Sequence, residues 1–265
     1  MSKIIVGRYI PGHSLIYKMD PRGTLLITIL FIFVIFLANN PLTYAIITLF
    51  CFLAVFATGL KINVFWDGVK PLIGLIFFTS LLQLFFMTGG KIYWQWWIFT
   101  LSSYGLINAI YIFIRFTLII LISTVMTVTT MPLEIADAME WLLKPLKIFK
   151  VPVDKIALVI SIALRFVPTL FDETLKIMNA QRSRGADFND GGLIKRAKAV
   201  TPILVPLFIH SLETALDLST AMESRGYRGS SGRTKYRVLN WSKYDLISLG
   251  YFVLLVGLLL IFRTH

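Results

Sequence analysis

Residues 24–60 run for 37 positions without a charged side chain. Further uncharged stretches follow at 71–90, at 92–114 and 116–133 on either side of Arg115, and at 246–262. A helix crosses a bilayer with about 17–25 apolar residues. In hydrocarbon it must pair every backbone N–H and C=O within itself. Repeated apolar runs of this length therefore point to membrane helices. The hydrophobic share of 57% lies above the roughly 45–50% of soluble domains. It excludes a disordered chain and argues against an ordinary soluble enzyme.

Asn39-Asn40-Pro41 divides the first run into two segments, as a tight turn does. The segment 24–38 is short for a bilayer and must draw in flanking residues. A third span is expected at 71–90, a fourth at about 103–131 and a fifth at 246–262. Tyr93-Trp94-Gln95-Trp96-Trp97 reads as an interfacial aromatic belt, not a span centre. The expected organisation is an N-terminal segment 1–23, four transmembrane helices in 24–131, a polar helical domain at 132–240 and the last transmembrane helix in 241–265. The fold class is all-α and polytopic.

The charge of +12 invites a nucleic-acid reading. With five spans and the N-terminus inside, however, 23 of the 26 basic residues fall on one side, with Lys91 and Arg263 opposite and Arg115 in the membrane. The positive-inside rule explains that distribution, so no nucleic-acid partner is expected. It orients the N-terminus and 132–240 to the cytoplasm and the C-terminus outside. The first 23 residues are polar and basic and show no small-residue cleavage site, so no secretory signal is expected.

The stretch 132–240 holds 16 basic residues, 11 acidic residues and six prolines. Glu134, Asp137 and Glu140 precede Lys144, Lys147 and Lys150, the order a helix dipole favours. Pro145 limits that helix. A second helix is expected from about Val153, with an apolar stripe of Ile156, Ile160, Ala163, Val167 and Leu170. A third carries Phe208, Leu212, Ala215, Ser219 and Met222 at the same spacing, with Glu213 and Asp217 on a neighbouring polar face. The apolar cores, about 156–171 and 199–212, are short for spans and contain Arg165, Pro168, Pro202 and Pro206. Spanning would also export six basic residues. Long amphipathic helices at the cytoplasmic face are therefore expected, joined by a turn at Asn189-Asp190-Gly191-Gly192.

Both long helices end alike, in Ala180-Gln181-Arg182-Ser183-Arg184-Gly185 and Ala221-Met222-Glu223-Ser224-Arg225-Gly226. Gly just past a helix accepts the left-handed conformation, and Arg in the last turn offsets the dipole, so each alone reads as a C-cap. Two copies of A-x-x-S-R-G point further, to two equivalent contacts with a partner.

Chemistry-bearing motifs are missing. Gly229-Ser230-Ser231-Gly232-Arg233-Thr234 lacks phosphate-loop spacing and reads as a flexible basic loop. Cys51 is alone, and His13, His210 and His265 are scattered, so no metal site, cofactor or catalytic residue is assigned. No acid falls in the five expected spans, which leaves a carboxylate proton relay unsupported. Arg115 is the candidate intramembrane functional residue. The competing reading has it snorkel or bind helix carbonyls, with Gln83 as a neighbour. A lipid-modifying membrane enzyme would need clustered acids or histidines. A secondary transporter would need repeats among the spans and a midplane polar site.

The twin Arg-Gly ends, in a polar helical region of a basic membrane protein, resemble the transmembrane T component of energy-coupling factor (ECF) vitamin transporters. That family carries two X-Arg-Gly motifs, usually Ala-Arg-Gly. Here they stand as Ser183-Arg184-Gly185 and Ser224-Arg225-Gly226. Ala186-Asp187-Phe188 and Tyr227-Arg228-Gly229 follow them. Tyr9-Ile10-Pro11-Gly12-His13-Ser14 and Asp20-Pro21-Arg22 resemble the family's opening, although Gly23 and Thr24 stand where a Lys commonly follows. The resemblance implies a non-catalytic subunit of a bacterial cell membrane. It would join two cytoplasmic ABC-type ATPase subunits, which bind the ATP, to a small membrane S component carrying a vitamin. Each Arg-Gly end would dock on one ATPase. The flanking residues look more like the module shared among several S components than a dedicated one.

Overall fold

The structure is a computed structural model that describes residues 9–96, 99–186, 192–229 and 239–263. Residues 189–191 of the expected turn, 230–234 of the basic loop, Trp97 and His265 lie outside the described residues. Two compact units form: Met1–Leu142 with Leu239–His265, and Leu143–Val238.

In the first unit, α1 (Pro21–Val34) begins where Asp20 caps it by accepting from the Arg22 backbone N–H at 2.8 Å, with Pro21 at its first turn. Pro suits that position because its missing N–H would have had no helical partner. A 3₁₀ turn, Ile35–Leu37, extends it. Asn40 and Thr43 then form a capping box that opens α2 (Pro41–Ala57), so the Asn39-Asn40-Pro41 break stands where expected.

The region 61–70, between the second and third expected spans, is itself helical. Helix α3 (Ile62–Val69) leads through a 3₁₀ turn, Lys70–Leu72, into α4 (Ile73–Phe86). Pro71 falls at the start of a new turn, where a proline does not break the helical path. The run Ile62–Phe86 has the length and hydropathy of a span and brings Asp67 and Lys70 into it, both exposed.

The aromatic segment is a hairpin. β1 (Ile92–Trp96) pairs antiparallel with β2 (Phe99–Ser102), Trp96 opposite Phe99 and Gln95 opposite Thr100. Strand-favouring Ile, Tyr, Trp, Phe and Thr make this pairing. Ser102 caps α5 (Ser103–Thr129), 27 residues, by accepting from Gly105 N–H. Pro132 opens α6 (Pro132–Leu143), which stops before a 3₁₀ turn at Lys144–Phe149 that starts around Pro145. α6 falls almost wholly in the first unit.

The core of this unit joins Phe31 and Ile35, Ile47 and Cys51, Leu118 and Ile122, and Leu255 and Leu259. They come from α1 with its extension, from α2, from α5 and from the last helix, α9 (Lys243–Phe262).

The second unit contains α7 (Val153–Ser183) and α8 (Leu193–Ser224), which pack on one another. Among the described residues its buried apolar side chains are few: Val153 and Ala157 on α7 and Ile203 on α8. The two expected stripes lie mainly outward, with Val167 58%, Phe208 70% and Leu212 54% exposed. Pro168, Pro202 and Pro206 sit inside the helices without ending them. The length argument fails for α8: Val200–Ser224 is long and apolar enough to span, as are Ile62–Phe86, Ser103–Thr129 and Lys243–Phe262. Pro21–Leu37 and Pro41–Ala57 are shorter apolar helices. This is an all-α polytopic membrane protein with one small hairpin.

Candidate functional site

The two A-x-x-S-R-G segments close their helices by the same hydrogen bonds. At the end of α7, Ala186 N–H donates to Gln181 C=O at 3.0 Å and Gly185 N–H to Arg182 C=O at 2.9 Å. At the end of α8, Tyr227 N–H donates to Met222 C=O at 3.0 Å and Gly226 N–H to Glu223 C=O at 2.9 Å. Both are Schellman motifs, in which backbone groups satisfy the carbonyls a helix leaves open. Gly185 has φ +86° and Gly226 φ +73°. A Cβ on either would meet nothing within 4 Å, so glycine is needed for conformation and not for space. Arg184 and Arg225 hold nearly identical backbone angles, φ −87° and −86° with ψ 7° in both.

This geometry separates capping from presentation. The last carbonyls accept from backbone N–H groups, so neither guanidinium is needed to satisfy them. Ser183 Oγ donates back to Asn179 C=O at 3.2 Å and Ser224 Oγ to Ala221 C=O at 3.0 Å, which occupies both hydroxyls within the helix. All of Ser183, Arg184, Gly185, Ser224, Arg225 and Gly226 are exposed. Among the described residues neither Arg184 nor Arg225 forms an ion pair. Each end thus offers a forked cation, able to take a carboxylate or paired carbonyls, at a fixed place on a rigid helix. By helical rise about 48 Å of α8 lies between its start and its motif. The two ends are thus separate stations.

Arg115 lies midway along α5. Its Nη2 donates to the Tyr44 hydroxyl of α2 at 2.5 Å, and the guanidinium stands 5.0 Å over Phe36 and 5.8 Å over the Tyr44 ring. Tyr44 stacks on Tyr111 at 4.4 Å. The expected neighbour Gln83 is elsewhere: its amide meets Met87 Sδ, which Asn108 also approaches. Asn108 is two turns of α5 before Arg115, about 10 Å by helical rise. Sequence reasoning missed Tyr44, which lies 71 positions away and carries no local signal. Among the described residues no group of three His, Cys, Asp or Glu could hold a metal. Cys51 is buried and free.

The cobalt transport protein family, CbiQ, matches residues 12–236. The chain is 89% identical over 265 residues to the energy-coupling factor transporter transmembrane protein EcfT of Lactobacillus helveticus, covering 100% of this chain and 96% of that protein. It is 50% identical over 264 residues to the EcfT of Lacticaseibacillus paracasei and 45% identical over 264 residues to that of Bacillus subtilis, each with 100% of both chains covered. A match of this extent, on a membrane-helix bundle with two Arg-Gly helix ends, makes the chain a member of the CbiQ family and, within it, of the transmembrane, non-catalytic components of energy-coupling factor transporters.

Proposed function

We propose that this subunit couples ATP hydrolysis by two cytoplasmic ABC-type ATPase subunits to movement of a small membrane S component that carries a vitamin or similar micronutrient into the cell. One observation carries the reading: α7 and α8 end in the same Schellman geometry, each with an exposed Arg that its own helix does not need. Two equivalent cations at separate stations suit two equivalent acceptors, one on each ATPase. An oriented guanidinium at a carboxylate or a helix C-terminus makes a charge-assisted contact with defined geometry. Closure of the ATPases would then displace both helix ends and tilt the S component.

The bias of basic residues supports a cytoplasmic N-terminus and coupling helices and an outward C-terminus. Although α8 has the length of a span, crossing would expose the bases of 176–198 on the opposite face. Its open apolar residues, Phe208 and Leu212 among them, suit the membrane surface or the S component. Co-purification from the native membrane tests the assembly, with identification of the bound chains. Two ATPase chains and one small membrane protein are expected; recovery of this chain without any ATPase sinks the reading. Impermeant labelling of a cysteine at position 190 should fail from outside intact cells. Labelling from outside would contradict the cytoplasmic domain.

A further inference from the structure

Asp20-Pro21-Arg22 opens α1. The Asp20 backbone N–H donates to Asp245 Oδ1 at 2.8 Å, across 225 positions, and ties the start of α1 to the start of α9. Asp245 Oδ2 accepts from Ser242 N–H at 2.6 Å. Both carboxylates are buried, at 4% and 2% exposure. Gly23 makes this approach fit, since a Cβ there would stand 3.0 Å from Asp245 Oδ1. Arg22 completes the cluster. Its Nε lies 3.9 Å from Asp20 Oδ1 and its Nη2 donates to Leu239 C=O at 3.3 Å. Its guanidinium stands 6.0 Å over Trp141, which meets Trp241 edge-on at 6.4 Å. Asp20 Oδ2 and Arg22 Nε are buried with no hydrogen-bond partner among the described residues, so their charges compensate one another at low dielectric.

The location gives the cluster its meaning. The first unit's chain leaves at Leu142 and returns at Leu239. Trp141 is the residue before the exit, and Leu239 is the re-entry itself. Both ends of the connection are held by one side chain, Arg22, which is held in turn by the acids that open α1 and α9. A connection left free would absorb a displacement of α8 in its own backbone. One fixed to a buried charged cluster passes the displacement to the helices that own the cluster.

We propose that Arg22, with Asp20 and Asp245, is a positioning group that clamps the exit and re-entry of the chain, so that movement of the coupling helices reaches α1 and α9. This rests on the coupling function proposed above. The test reconstitutes the complete complex in proteoliposomes and measures ATP hydrolysed per molecule of a radiolabelled vitamin that the parent complex takes up. Arg22→Ala should retain ATPase docking and raise that ratio about five-fold or more, the lower range of an allosteric coupling energy. Arg22→Lys keeps the charge but not the fork and should fall between. Asp20→Asn with Arg22→Gln removes both charges together. It should assemble and show the same slippage, and it decides the matter if Arg22→Ala does not assemble. Hydrolysis and uptake that fall in proportion, or a parental ratio in these variants, would overturn the clamp. Arg184→Ala with Arg225→Ala, run alongside, separates the two ideas: normal docking there refutes the coupling reading, whereas lost docking there with a parental ratio at Arg22 refutes only the clamp.

Discussion

Ile47 of α2 and Leu212 of α8 are both aliphatic, both mid-helix, and treated in opposite ways. Ile47 is fully buried, against a core that also contains Ile35, Cys51 and Leu255. Leu212 is 54% exposed, and Val159, Phe171, Phe208 and Leu216 are more so. The first unit joins α1, α2, α5 and α9 in a buried core, while Phe33, Phe56, Phe77 and Ile247 stay exposed on its outer side, as apolar residues on a membrane-spanning bundle do. In α7 and α8 the narrow mutual face leaves wide apolar surface open. On helices as rich in charge as α7 and α8, exposed apolar area suits a membrane surface or a partner. The first unit has a core of its own, whereas the second buries little of its apolar surface within itself.

The largest expected effect tests the core of the first unit. Ile47→Ala should lower the thermal stability of the detergent-solubilised chain by about 2–5 kcal/mol, because a close-packed site cannot collapse around the void. Leu216→Ala, at 61% exposure, should change it by no more than about 0.5 kcal/mol. Equal losses would abolish the contrast.

Next comes the polar contact inside the bundle. Tyr44→Phe removes the hydroxyl that accepts from Arg115. A hydrogen bond to a charged group contributes about 1.5–3 kcal/mol. Thermal unfolding should register a loss in that range, and an unchanged midpoint would show that the pair is idle.

A smaller effect is expected at the helix ends. Gly226→Val forces a β-branched residue toward φ +73°, at a cost of about 1–3 kcal/mol. Gly226→Asn, which tolerates the left-handed region, should be milder. Since no atom stands within 4 Å of the added Cβ, the ranking tests conformation alone. An equal loss of bound ATPase for Val and Asn would instead point to crowding by a partner.

The smallest effect on the chain itself should come with a large effect on its complex. Leu212→Asp places a charge on an already exposed face, so the isolated chain should keep its stability within about 0.5 kcal/mol. Burying that charge against a partner is costly, and vitamin uptake should be lost while ATPase binding persists in part. Normal uptake would show that the open face of α8 is not a partner surface.

Local rules made much of this fold readable. Asn39-Asn40-Pro41 and the start of α5 after Ser102 carry their own cap chemistry, and α7 begins directly after Pro152. The two Arg-Gly ends were legible because a Schellman motif needs only a glycine at the right place. The hairpin at 92–102 was missed because the same aromatic residues serve interfaces and strands. The helix through Pro71 was missed because a proline reads as a break until its place in the turn is known. The stripes of α7 and α8 have the right period, yet period alone does not say which face a neighbour covers. Long-range pairs such as Arg115 with Tyr44 and Asp20 with Asp245 leave no trace in spacing.

The central claim is that the twin arginines are contacts and not caps. Measuring recovery of ATPase subunits on the affinity-purified chain, for Arg184→Ala, Arg225→Ala and the pair, tests it directly. Each single change should weaken docking by about 2 kcal/mol, roughly thirty-fold, and the double change should abolish it, with the stability of the chain unaltered. If the arginines only offset the helix dipoles, each would instead cost the chain a few tenths to about 1 kcal/mol of stability. Full ATPase recovery in the double mutant would contradict the account.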